Sequence, residues 1–168
     1  MRGHTHAICG MITMAAITIA TKNNIQVGPY TLLPAIGLVS AGPGSYGPDI
    51  DHQATALGRK HKFLSKHLKH RGSTHTLVVP AALLGLMYLC YYFNLQFVPD
   101  LIFGYFVGWT VHIIADMFNT TGVPILWPIV KGKISLGPFV TGTWHEGLFI
   151  VLWAIANIAV VLWRLGFF

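Results

Sequence analysis

Charge is what this chain has least of. Of its 168 residues only 10% are Asp, Glu, Lys or Arg and five are acidic, while 54% are apolar and the mean hydropathy is +0.59. A soluble domain carries about 25% charged residues, so a water-facing surface could not be clothed here, and a membrane protein is indicated. Cysteine is nearly absent. Cys9 and Cys90 lie in apolar runs, with neither a CxxC nor a histidine at ligand spacing, which argues against a thiolate metal site and leaves them as packing residues. Internal repeats and low-complexity tracts are lacking too. A chain of this length suffices for four to six spans of about 20 residues each, with no room for a separate soluble domain. Residues 1–168 therefore read as one membrane-embedded helical domain.

The cations that are present are unevenly placed. Six of the eleven Lys and Arg fall within residues 59–71. Beside apolar spans, such a block reads as a positive-inside loop on anionic lipid rather than a nucleic-acid contact. Membrane lipids are the expected partner, and nucleic acid is not.

The first apolar run covers residues 7–20; its alternative, a cleaved signal peptide, would discard His4 and His6. A second, at 31–41, is broken by Pro34 and Gly37 and enters a Gly-Pro-rich stretch at 42–48. As helix it would cover about 17 Å, less than the hydrocarbon core, so a broken or re-entrant span is expected, with something polar at its end. Residues 49–71 form either an interfacial helix, with Leu57, Leu64 and Leu68 among the lysines, or a solvated loop. Stronger spans follow at 77–98, 101–118 and 148–163, with Pro80 tolerated in a first turn and a polar loop at 119–143 carrying Lys131 and Lys133. Trp109, Trp127, Trp144, Trp153 and Trp163 mostly sit near span ends, as interfacial anchors do. The expected fold is all-α: a multi-pass protein with about five spanning segments, the second broken or re-entrant. With the N-terminus inside, nine cations fall on the inner side and two, Lys22 and Arg164, outside.

That topology gathers the scarce acids. His4 and His6 start the first span, Asp49, Asp51 and His52 end the second, and His70 and His75 start the third. His112 and Asp116 end the fourth, and His145 and Glu146 start the fifth. All lie at one, cytoplasmic, end, and of the acids only Asp100 lies at the other. Ionisable groups at the edge of hydrocarbon are costly, so such a cluster implies partners or a metal. Histidine with carboxylate suits Zn²⁺, with Mn²⁺ or Fe as alternatives, and the number of candidates points to more than one ion or to one ion with an ion-paired outer shell.

Each motif has a plainer alternative. His112 and Asp116 share a helix face at i and i+4, with Gly104 and Gly108 continuing the stripe, but a His-Asp pair could simply lock two helices. Asp49-Ile50-Asp51-His52 offers three ligands in four residues or merely caps a turn. Arg71, between His70 and His75, suits a phosphate oxygen or belongs to a basic loop. The candidate ligands are His6, Asp49, Asp51, His52, His70, His75, His112, Asp116 and Glu146. Asp49, Asp51 or Glu146 is the candidate general base, and Arg71 would stabilise charge in the transition state. Only one of His4 and His6 need point inward, His145 is left open beside Glu146, and His61 and His67 read as solvated.

These motifs resemble the YdjM-like family of LexA-regulated inner-membrane proteins assigned as metal-dependent hydrolases. The matching pieces are Thr5-His6 with Gly10, Gly47-Pro48-Asp49-Ile50-Asp51-His52, His70-Arg71-Gly72 and Thr74-His75-Thr76. Gly108 with His112 and Ala115-Asp116, Gly122-Val123-Pro124 with Trp127-Pro128, and Thr141-Gly142-Thr143 with Glu146 complete the set. Family members often have Ser where Thr143 stands, which keeps a hydroxyl. The resemblance implies an inner-membrane location and a metal-dependent activity inferred from ligand residues, sometimes likened to zinc-dependent phospholipase C. Together these features suggest a hydrolase at the cytoplasmic face that uses metal-activated water on a phosphoester of a small molecule or a lipid. The alternative is a metal-binding or metal-transporting membrane protein, although a carrier needs a site near the midplane.

Overall fold

The apolar run at 7–20 contains one breaker, Gly10, and the helix it forms, α1, spans Gly3–Ala20, taking in both His4 and His6. It stops where Lys22 and Asn23 turn left-handed, with φ of 51° and 56°. The computed structural model describes residues 1–68 and 71–167. After α1 comes a hairpin, β1 (Ile25–Val27) antiparallel to β2 (Tyr30–Leu32), turning at Gly28 with φ 60°. Its Leu32 is buried against Met87 and Tyr91, and Tyr30 stacks on Tyr91 at 4.5 Å.

Helix α2, Pro34–Tyr46, corrects the expected break at 42–48: it runs through Gly42 and Pro43 and tightens into a 3₁₀ turn only at Gly47–Asp51. Packing overrides the breaker. Gly37, Ala41, Gly44 and Ser45 are buried, and on α6 (introduced below as Val98–Met117) Gly104 and Gly108 face the carbonyls of Gly37 and Ala41 so closely that a Cβ on either would strike them. In lipid, where apolar side chains gain nothing by meeting each other, such small-residue approach is a main source of helix association. The start of α2 is held by Asp100, the outlying acid, whose Oδ1 accepts from Leu33 N–H at 2.6 Å. At 1.5 Å per residue α2 is about 20 Å long, short of a full crossing.

The basic segment forms two short helices rather than one, α3 (Ala56–Lys60), capped by the Thr55 hydroxyl, and α4 (Lys62–His67). Helix α5, Val78–Tyr92, carries Pro80 in its first turn as expected but ends six residues before 98, and α6, Val98–Met117, begins three residues before 101. Residues 119–143 are irregular apart from bridges Asn119 to Phe139 and Val123 to Ile134, and α7 spans His145–Arg164. Helices α1, α6 and α7 are long and apolar enough to cross a membrane; α2 and α5 are shorter. Cys9, Met14, Ala41, Val107, Val111, Ala115 and Phe149 form the core where α1, α2, α6 and α7 meet, and most of α7 turns outward as lipid-facing apolar surface. Cys9 and Cys90 are free and buried.

Candidate metal centre

The fold brings three chain ends to one level. The last turn of α6 carries His112 and Asp116, the first turns of α1 carry His6, and the 3₁₀ turn after α2 carries Asp49 and Asp51. A further 3₁₀ turn, Ser73–His75, adds His75, and Trp109, one turn before His112, donates its indole N–H to Thr74 O at 3.0 Å and so fixes that turn in place. His6, His75 and His112 are fully buried.

Hydrogen bonds decide which way the imidazole lone pairs face. His112 Nδ1 donates to Ser45 O at 2.6 Å. His75 Nδ1 lies 3.2 Å from Asp51 Oδ2 and 3.0 Å from Thr74 Oγ1, which itself donates to Asp51 Oδ2 at 2.5 Å and is thus free to accept. With both Nδ1 atoms serving as donors, each ring's Nε2 presents a lone pair. Yet these two Nε2 atoms face each other at 3.2 Å. Two lone pairs at that distance repel unless one nitrogen carries a proton for the other or a metal cation lies beside them. His6 stacks on His112 at 3.7 Å, its Nε2 lies 3.4 Å from Asp116 Oδ1, and among the described residues its Nδ1 has no hydrogen-bond partner. A buried polar atom left so is costly.

Two sets of donors lie close enough to share an ion, His6, His112 and Asp116, and Asp49, His75 and His112. Asp116 Oδ1 faces His6, whereas its Oδ2 lies 3.7 Å from His75 Nε2 and 3.8 Å from His112 Nε2; Asp49 Oδ1 is 3.7 Å from His112 Nε2. A nitrogen and oxygen donor set without sulfur fits zinc, manganese or iron, and Asp51 behind His75 reproduces the carboxylate–histidine arrangement that orients metal ligands. Cations already crowd the carboxylates. The Met1 amine is 2.7 Å from Asp116 Oδ1 and Arg71 Nη2 is 3.1 Å from Asp116 Oδ2. Burial pushes the Asp49 carboxyl above its ordinary range, partly opposed by His6 and His75.

Other candidates are placed differently. Glu146 is buried but belongs to neither set; its Oε1 accepts from Arg2 N–H at 2.8 Å, with Arg2 Nε 3.8 Å from Oε2. His52 and the exposed His4 line a cavity of about 710 Å³ that also reaches Asp49, Arg71 and Asp116 and so opens the cluster to the outside. His145 pairs with Thr143 Oγ1 at 2.8 Å, His61 and His67 are exposed, and His70 lies outside the described residues. Arg71 adopts φ 53°, uncommon for a residue other than glycine, while its N–H donates to Asp51 Oδ2 at 3.0 Å. Trp109 is buried and so is not an interfacial anchor; its position three residues before His112 was the signal for its supporting role. Thr74 stood in the Thr74-His75-Thr76 motif without a role assigned to it, and Ser45 left no signal.

Comparison with known proteins identifies the family. Residues 1–167 match the family described as "YdjM inner membrane protein". Inner membrane protein YdjM of Escherichia coli and that of Shigella flexneri are each 41% identical over 85 residues, 48% of this chain and 43% of the relative. The match thus spans less than half the length of those relatives. Uncharacterized protein YvsG of Bacillus subtilis is 27% identical over 164 residues, 94% of this chain and 92% of the relative. No solved structure matches. The family match along nearly the whole chain places this protein in the YdjM inner membrane protein family, whose described location agrees with its apolar helices.

Proposed function

We propose that the chain is a membrane-bound, metal-dependent hydrolase of phosphoesters, with its centre at the cytoplasmic end of the bundle. The observation that carries this is the pair of Nε2 atoms at 3.2 Å, both turned inward by hydrogen bonds at Nδ1, among two carboxylates. His6, His75, His112, Asp49 and Asp116 would hold divalent metal, zinc first and manganese or iron next, and the two oxygens of Asp116 allow it to serve more than one ion. When bound, the metal supplies Lewis acidity and a water of lowered pKa. The protein's own residues do the rest. Asp49, which would give one oxygen to the metal, borders the cavity and keeps its second oxygen for the general-base role; of the other two sequence candidates, Asp51 is held by Arg71 N–H, Thr74 Oγ1 and His75, and Glu146 is engaged by Arg2. Arg71 borders the same cavity, and its guanidinium can leave Asp116 for an anionic phosphoryl oxygen.

The test is metal analysis of the purified protein alongside phosphomonoesterase and phosphodiesterase screens, with His112→Ala as control. Metal content and turnover should fall together in that variant. Stoichiometric metal without turnover on any phosphoester would favour the metal-binding or transporting alternative, and a metal-free but active protein would refute the proposal.

A further inference from the structure

A second cavity lies on the far side of Arg71. It measures about 440 Å³ and is lined by His67, Arg71, Ser73, Trp127, Lys131 and Lys133, so that three permanent cations converge on it. Arg71 is the shared wall: it borders this cavity and the one over Asp49 and Asp116, and its buried Nε has no hydrogen-bond partner. Around the two lysines the chain exposes apolar side chains to an extent no aqueous loop sustains cheaply. Ile129 is 90% exposed and Leu136 60%, and Leu126 and Val130 are also exposed. Lysines interleaved with exposed aliphatic residues are what a segment seated at the headgroup level presents, charges to phosphate and carbon to acyl chains. The segment is not loose. Val123 and Ile134 exchange both backbone hydrogen bonds, at 3.1 and 2.9 Å, Leu136 N–H donates to Met117 O at 2.7 Å, and Ser135 Oγ donates to Asn119 O at 2.8 Å. It is therefore tied to the end of α6, one residue beyond Asp116.

We propose that this cavity is a headgroup subsite for an anionic phospholipid with a terminal phosphate, and that residues 126–136 seat the substrate from the bilayer. Lys131 and Lys133 receive the phosphate as point charges when the lipid enters, Trp127 borders the same site, and Arg71, which borders both cavities, passes the phosphate on to the metal centre. The assignment rests on the hydrolase reading for its purpose but not for its test, because binding is measurable without turnover.

The experiment uses the full chain in detergent, stripped of metal by chelation so that nothing is hydrolysed. Binding of dioctanoyl phosphatidic acid is followed by Trp fluorescence, with dioctanoyl phosphatidylcholine and glycerol 3-phosphate as comparisons. Saturable binding of phosphatidic acid, stronger than of either comparison, is expected. Each lysine near a surface phosphate contributes on the order of a fivefold gain, so Lys131→Ala/Lys133→Ala should weaken binding by about tenfold or more. Ile129→Asp should weaken binding of the lipid without altering the residual binding of glycerol 3-phosphate, which has no acyl chains. Unchanged affinity in the double lysine variant, or equal affinity for glycerol 3-phosphate, would overturn the subsite. Lysine-dependent binding in a protein that hydrolyses no phosphoester would uphold the subsite and defeat only the catalytic reading.

Discussion

The contact between α2 and α6 ought to control metal affinity from a distance, and Gly108→Ala isolates that effect. Gly108 contributes no side chain to the cluster. A Cβ there would overlap the carbonyl oxygen of Ala41 and press on Ser45 N, both backbone atoms that no rotamer change can clear. Restoring ordinary contact requires α2 to retreat by about 1.4 Å. Ser45 O now accepts from His112 Nδ1 at 2.6 Å, so that retreat carries the pair past hydrogen-bond range. His112 then loses the acceptor that fixes its tautomer, and loss of such an outer partner lowers metal affinity by about 10- to 100-fold, or about 1.4–2.7 kcal/mol. Overpacking adds about 1–3 kcal/mol of destabilisation. Competition with a chromophoric zinc chelator in detergent measures the first, and thermal unfolding of the metal-free protein the second. Ser45→Ala is the control, since it deletes the hydroxyl bonded to Ala41 O and Gly108 O but keeps the carbonyl. Wild-type zinc affinity in Gly108→Ala, or an equal fall in Ser45→Ala, would refute the reasoning.

Arg71→Ala should retain metal while turnover drops by about two to three orders of magnitude, and Arg71→Lys should recover part of it, because an ammonium keeps the charge but not the two-pronged contact; metal loss in Arg71→Ala would place the residue in the fold of the centre instead. Reporters fused after Lys22 and at the C-terminus should read external and one near Lys62 cytoplasmic, and an external Lys62 would invert the orientation. The raised carboxyl of Asp49 favours the folded metal-free protein below the ordinary carboxylate pKa, and that advantage is lost as pH rises through the folded value. Asp49→Asn should therefore raise the melting temperature of the metal-free protein at neutral pH and flatten its decline with pH, and a lowered melting temperature would show that the carboxylate is already compensated.

Composition and run length made the membrane helices and the end of the bundle that bears the acids legible, because hydrocarbon penalises charge wherever it falls. His112 and Asp116 were readable as a pair from helical spacing alone. What escaped was set by packing or by backbone atoms. Pro43 and its glycines looked like a break, but they are the surface that lets α2 lie against Gly104 and Gly108. The hairpin at 25–32 had a sequence cue in Gly28-Pro29 between alternating apolar residues, too short to stand out beside the spans. Ser45 acts through its carbonyl, which every residue type possesses, so no side-chain pattern could reveal it.

The plainer account of the cluster is a histidine–aspartate lock between helices, and the charge balance weighs against it. A lock needs one imidazole N–H and one carboxylate. Here Asp49, Asp51 and Asp116 are all buried, in a chain that has only two other acids. Each ionised carboxylate moved out of water costs several kcal/mol unless charge or hydrogen bonds repay it. Arg71 and the Met1 amine both lie on Asp116, and Asp51 accepts from Arg71 N–H, Thr74 Oγ1 and His75. His75 and His112 have their N–H groups committed outward, at Nδ1, so in their neutral form they turn lone pairs, not protons, toward Asp116 and Asp49. Protonating one ring lets its Nε2–H donate to the other ring at 3.2 Å but adds only one charge beside Asp49 and Asp116, and protonating both sets two N–H groups against each other. A divalent cation could satisfy the inward lone pairs and the carboxylates together, which neither protonation state of the histidine pair does.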